Sequence, residues 1–264
     1  LECRLNDDHG RGWLFCLPWI GCMDIAMTNE LETNEPGILA LWNDCAPDGE
    51  AEYERWYMGQ HLPERVGVPG FRFGRRYTRV DGDRKFFTFY ELDAPDVLWS
   101  PKYLERLGNP TDWTQRVMLD FRNTVRTACR KAASVGTALG GHAVTFRFMS
   151  PNAPGADLED AVKSELLPAL LDCDGISQAH LWIAAEEQTP ANTAETDLRG
   201  EDELMSWAVI AETTRVEEAM ELTRDAAFLK RLGGLGPTND PIVGIYQLMA
   251  ILTPKMMQAD GENS

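Results

Sequence analysis

His61–Leu62–Pro63–Glu64–Arg65–Val66–Gly67–Val68–Pro69–Gly70–Phe71 and Leu166–Leu167–Pro168–Ala169–Leu170–Leu171–Asp172–Cys173–Asp174–Gly175–Ile176 follow one plan, 105 residues apart. In each, a helix-like segment meets a Leu-Pro pair, and a Gly opens a strand-like run seven residues after the Pro. Proline disfavours the helical region for the residue before it, so each Leu-Pro predicts a helix boundary. Upstream, Gly37–Ile38–Leu39–Ala40–Leu41–Trp42 and Ala143–Val144–Thr145–Phe146–Arg147–Phe148 read as strands. Each leads into a helix with one face spaced i, i+3, i+4: Tyr53, Trp56, Tyr57, Gln60 and His61 in the first copy, Leu158, Ala161, Val162, Glu165 and Leu166 in the second.

Downstream the parallel continues. Strands are predicted over 71–80 and 176–185, then over 86–92 and 206–212. Helices ending in Tyr103–Leu104–Glu105–Arg106–Leu107–Gly108 and Phe228–Leu229–Lys230–Arg231–Leu232–Gly233 follow, with last strands near 122–133 and 242–252. Residues 37–135 and 141–252 therefore each read β-α-β-β-α-β, the ferredoxin-like unit. One such sheet leaves an apolar face uncovered, and two copies in one chain can cover each other. The expected fold is α+β: two tandem ferredoxin-like repeats forming an intrachain pseudo-dimeric α/β barrel. Residues 188–203, polar and interrupted by Pro190 and Gly200, read as a solvated loop, and 253–264 as a flexible tail.

The chain has 264 residues and a formal net charge of −17, which argues against a nucleic-acid or anionic-membrane partner. No apolar run reaches the roughly 20 residues of a membrane span. Six cysteines (Cys3, Cys16, Cys22, Cys45, Cys129 and Cys173) form no C-x-x-C pair, so a reducing, cytoplasmic setting is expected. Residues 1–36 read as a poorly ordered N-terminal extension. Within it, 1–26 look like an upstream stretch or expression remnant, with a cleaved leader as the other reading.

The second copy serves as an internal control for the first. Tyr53, Tyr57 and His61 are matched by Leu158, Val162 and Leu166, so one helical face is polar-aromatic where its twin is aliphatic. Packing alone needs no ionisable group there, and the first face is the candidate ligand pocket. His61 is the candidate acid–base group, placed in a helix's last turn where the dipole favours its cation, with a structural hydrogen-bonded His as the alternative. Tyr57, one turn earlier, is placed to hold a substrate oxygen, or else is a half-buried amphipathic residue. Tyr53, Trp56 and Trp113 are candidate pocket walls that equally suit core packing. Arg76 and Tyr77 are candidate substrate-binding residues, Arg76 as an oxyanion clamp or else a salt-bridge partner of Glu91 or Asp93. A nucleophilic Cys45 or a basic Asp44 are the lesser candidates. The four histidines show no metal-ligand spacing, no G-x-S-x-G elbow exists, and neither metal nor cofactor is expected.

The run Trp56–Tyr57–Met58–Gly59–Gln60–His61–Leu62–Pro63–Glu64–Arg65, followed by Val68–Pro69–Gly70–Phe71 and Tyr77, resembles the dimeric α/β-barrel superfamily, and within it the EthD-like proteins. The second copy departs from that motif at Leu166. The resemblance implies a barrel fold over about 37–252 and a functionally mixed group of isomerases, cyclases, cofactor-free oxygenases, dehydratases, haem enzymes and accessory proteins. The expectation is a cofactor-independent isomerase, cyclase or lyase acting by acid–base chemistry on a hydrophobic carbonyl, lactone or aromatic compound. The alternatives are a non-catalytic small-molecule-binding or accessory protein and a cofactor-free monooxygenase. The chain is expected as a monomer with an internal pseudo-dimer, or as a homodimer.

Overall fold

The computed structural model describes residues 35–149, 155–190, 193–235 and 240–261. Of the extension read at 1–36, residues 1–34 lie outside the described residues, as does the end of the tail at 262–264. Among the described residues, eight strands close into a barrel: β1 (Gly37–Cys45), β2 (Phe71–Asp81), β3 (Phe86–Leu92), β4 (Phe121–Gly136), β5 (His142–Phe148), β6 (Ile176–Ala184), β7 (Trp207–Thr213) and β8 (Ile242–Leu252). Their order is β1-β3-β2-β8-β5-β7-β6-β4, antiparallel at every pairing. Each half thus forms a four-stranded sheet, β4-β1-β3-β2 and β8-β5-β7-β6. The halves join at β2–β8 and β4–β6, which leaves no free sheet edge.

Period-two alternation decides which residues go inside. On β1, Ile38, Ala40 and Trp42 join Tyr77, Phe87, Phe89, Trp182 and Tyr246 in the barrel interior. Leu39, on the other face, packs under the helices of the first half. Those helices are α1 (Glu50–Trp56), α2 (Leu62–Val66), α3 (Pro101–Gly108) and α4 (Asp112–Met118). The second half carries α5 (Ala156–Ala161), α6 (Leu167–Leu171), α8 (Val216–Arg224) and α9 (Ala226–Leu235) around an aliphatic core that includes Val162, Leu166, Leu167 and Leu170. Gly70 and Gly175, 105 residues apart, both have positive φ (94° and 76°), and that backbone favours glycine before β2 and β6.

Three expectations need correction. The Leu-Pro pairs do not end a helix. Both copies run through them by a π-turn, Tyr57–His61 and Val162–Leu166, before α2 and α6. Pro63 and Pro168 donate no N–H, and the Leu N–H before each bonds five residues back, to the Tyr57 and Val162 carbonyls. The 188–203 stretch is not merely solvated loop. It contains α7 (Ala194–Arg199), capped reciprocally by Thr193 and Thr196, with Glu195 buried. The tail forms α10 (Pro254–Gly261), whose Met256 N–H bonds Thr253 Oγ1 (3.2 Å) and whose Met257 packs on the first-half core. None of the described helices is long and apolar enough to cross a membrane.

Candidate functional site

The π-turn sets the geometry around His61. Five residues along an ordinary α-helix is a rotation of about 140° around its axis. The wider turn brings Trp56 and His61 onto one face, with ring centroids 4.3 Å apart. Tyr57 meets the same imidazole edge-on at 5.0 Å. His61 is 6 % exposed and its Nδ1 is buried without a hydrogen-bond partner. Burial, reinforced by Arg65, Arg199, Arg76 and Arg126, holds its pKa well below the ordinary 6.5. The expectation of a helix-end dipole favouring the cation is thus reversed: the helix continues, and the imidazole is neutral.

His61 lines a small cavity of about 20 Å³, room for about one water, between the helices and the outer face of the first sheet. Its other walls include Leu39, Tyr90, Tyr103, Phe121, Arg65 and Arg126. Glu195 and Arg199 complete it from α7, a segment of the second half. The connection between β6 and β7 therefore crosses onto the first half. Backbone bonds from Arg126 N–H to the Glu203 carbonyl (3.0 Å) and from Glu203 N–H to the Thr124 carbonyl (2.8 Å) hold it there.

Charge in this cavity is arranged, not incidental. Arg65 ion-pairs with Glu195, both side chains almost fully buried. Arg199 approaches Glu195 (3.5 Å) and pairs with Asp202 (2.6 Å). Arg126 donates to the Tyr103 hydroxyl (2.9 Å) and to the Pro190 carbonyl (3.3 Å), with Asp202 at 4.0 Å. The Tyr90 hydroxyl lies 3.3 Å from that of Tyr57, and burial, then Tyr57, pushes its pKa well above 10.0. It stays protonated and can donate.

The structure sorts the sequence candidates. His61, Trp56 and Tyr57 come together. Tyr53 lies beside them, with its hydroxyl donating to Asn43 Oδ1 (3.1 Å). Arg76 does not line the cavity. Its guanidinium is sandwiched 3.9 Å from the Tyr57 ring and 4.9 Å from Tyr53, with Glu54 at 3.1 Å. Its expected partners Glu91 and Asp93 instead accept from Arg72 (3.3 and 2.8 Å). Tyr77 faces the barrel interior, stacked on Phe87, away from His61. Trp113 does not line the cavity: it packs half-buried against the first-half core and donates to Glu52 Oε1 (2.7 Å). Cys45 is no nucleophile, because burial lifts its thiol to about 11. Asp44 is occupied by the Lys85 N–H and Asn123 Nδ2, both at 2.8 Å.

Arg65, Tyr90, Tyr103, Arg126, Glu195 and Arg199 were not singled out from the sequence. The Thr193-x-x-Thr196 cap, the acidic first turn and Arg199 in the last turn were the available signals for α7.

No family model matches the chain, and no curated protein matches it. Solved structures do match in fold. An anthrone oxidase-like protein superposes with a TM-score of 0.59 at 12 % identity, covering 84 % of this chain and 94 % of that one. A candidate monooxygenase from Lactobacillus acidophilus NCFM gives 0.52 at 11 % identity, over 83 % and 96 %. Another from Fusobacterium nucleatum subsp. nucleatum ATCC 25586 gives 0.52 at 9 %, over 84 % and 96 %. These neighbours are dimeric α/β-barrel, ferredoxin-fold proteins, and the likeness is one of architecture.

Proposed function

We propose that the protein is a cofactor-independent enzyme that moves a proton on a hydrophobic small carbonyl, lactone or aromatic compound in the His61 cavity. The two halves are read as copies of one module. The first keeps the site and the second closes the barrel and lends α7. The motif over 56–77 is the ground for placing the chain near the EthD-like proteins.

One observation carries this reading: a neutral, buried imidazole, with Nδ1 unpartnered, lines a cavity beside cationic side chains. A neutral imidazole is ready to accept a carbon-bound proton. Arg65, Arg126 and Arg199, which line the cavity, stabilise the oxyanion forming on the substrate, as does the Tyr90 hydroxyl. A base with so low a pKa is weak, so the substrate's C–H must itself be acidic, as beside a carbonyl or on an aromatic-fused ring. The proton, once on His61, returns to another carbon for isomerisation or to a leaving group for elimination.

The neighbours' names favour a second reading, cofactor-free oxygenation, which begins with the same abstraction and then consumes O₂. The test is anaerobic incubation in D₂O with anthrone, 2-tetralone or phenylpyruvate, followed by NMR. Deuterium uptake above buffer supports proton transfer. O₂ consumption on admitting air selects oxygenation. Thermal stabilisation by a ligand without exchange would make the protein a binder.

A further inference from the structure

Three buried guanidinium groups, Arg65, Arg126 and Arg199, line the first-half cavity together with one carboxylate, Glu195, and a second carboxylate, Asp202, stands behind Arg199 and Arg126. His61, the remaining titratable base there, adds no compensating negative charge. Among these groups one positive charge is left unmatched. Asp202 belongs to the same β6–β7 connection as Arg199, with which it pairs three residues away.

Glu195 is different. It is 5 % exposed and comes from the connection between β6 and β7, a stretch of 22 residues (185–206) where the matching connection of the first half has four (82–85). Its carboxylate enters a cavity built by other elements and sits on Arg65 of α2. The surrounding walls are aromatic and apolar: Leu39, Tyr90, Tyr103, Met118 and Phe121. The residual space of about 20 Å³ excludes any organic substrate while α7 is in place.

We infer that Glu195 occupies the place of a ligand's own anionic group, so that the site takes an aromatic or apolar carboxylate which displaces Glu195 from Arg65 and lifts α7. The inference rests on reading the His61 cavity as the ligand site, and it narrows the substrate class. Three features support the exchange. A planar guanidinium suits a carboxylate in two-point contact. The unmatched positive charge favours an anion over a neutral ligand. Glu195 is carried by a helix of six residues, Ala194–Arg199, so its release moves one short segment and leaves the barrel intact.

Binding of 2-naphthoate and of its neutral analogue 2-naphthamide, followed by tryptophan fluorescence, tests this in the full chain. 2-Naphthoate is expected to bind the wild type and raise its Tm, and the amide is not. Glu195→Ala should tighten 2-naphthoate at least tenfold and leave the amide within twofold. Glu195→Gln, which keeps the shape and a hydrogen-bonding end, serves if the alanine variant is too unstable. It should also favour the acid. Hydrogen exchange of the 194–199 amides should speed up when 2-naphthoate binds. Equal binding of acid and amide, or an unchanged acid affinity in both variants, would overturn the inference. The readout is independent of turnover. Acid binding without deuterium exchange would sink the catalytic reading alone, and exchange into 2-tetralone but not phenylpyruvate would sink only the carboxylate preference.

Discussion

Trp56 and His61 stack with ring centroids 4.3 Å apart and 31° between their planes, although five residues separate them. The π-turn makes that contact, and the indole shields the imidazole from water while donating its own N–H to Thr114 Oγ1 at 3.1 Å. Shielding and the nearby arginines both act against the imidazolium.

The pH dependence follows. His61 in the folded chain titrates well below 6.5, whereas in the unfolded chain it titrates near that value. Below pH 6.5 the unfolded state binds the proton and the folded state does not. The stability present above pH 6.5 is therefore lost as pH falls toward the folded pKa. Urea midpoints measured between pH 8 and pH 5 should decline below about 6.5, and less so in His61→Gln. The acid limb of any exchange rate should lie below pH 6.5 as well. An acid limb above pH 6.5 would show that some other group is the base.

Arg65→Met should be strongly destabilising, by about 3–5 kcal/mol, because it strands the buried Glu195 carboxylate. Adding Glu195→Gln in the same chain should restore much of the loss. Chemical denaturation of the two single variants and the double variant measures the coupling.

Tyr90→Phe removes the buried hydroxyl that lines the cavity and faces Tyr57 at 3.3 Å. If that hydroxyl holds the developing oxyanion, turnover should fall by about 10²-fold with little change in KM. Tyr77→Phe should leave turnover near wild type, because Tyr77 faces the barrel interior. Steady-state kinetics on both variants, with any substrate the exchange assay identifies, separates them.

The barrel was legible because the matching patterns of 37–135 and 141–252 register strands against each other independently of propensity. Predicted strands 86–92 and 242–252 match β3 and β8 as observed. The site was only half legible. His61, Trp56 and Tyr57 share a helical segment, and the contrast of His61 and Tyr57 with Leu166 and Val162 exposed those two. Tyr90, Tyr103, Arg126 and Glu195 converge from β3, α3, β4 and α7, and no spacing along one element connects them. Arg76 was expected to find a carboxylate on the neighbouring strand, but its partner is Glu54 on α1, across the sheet-helix interface. Glu195 looks like a solvated charge in sequence because its partner, Arg65, lies on α2, far away along the chain. The Leu-Pro boundary failed for a local reason: a π-turn supplies an acceptor at Tyr57 that an α-helix would not.

The central claim is that His61 takes a proton from carbon. Its most direct measurement is deuterium incorporation into anthrone, 2-tetralone and phenylpyruvate in D₂O, anaerobically, by wild type and by His61→Gln of confirmed fold. Catalysed exchange into at least one compound by the wild type, falling by about 10²-fold or more to the buffer rate in His61→Gln, is the predicted result. Equal exchange by both proteins would contradict the account.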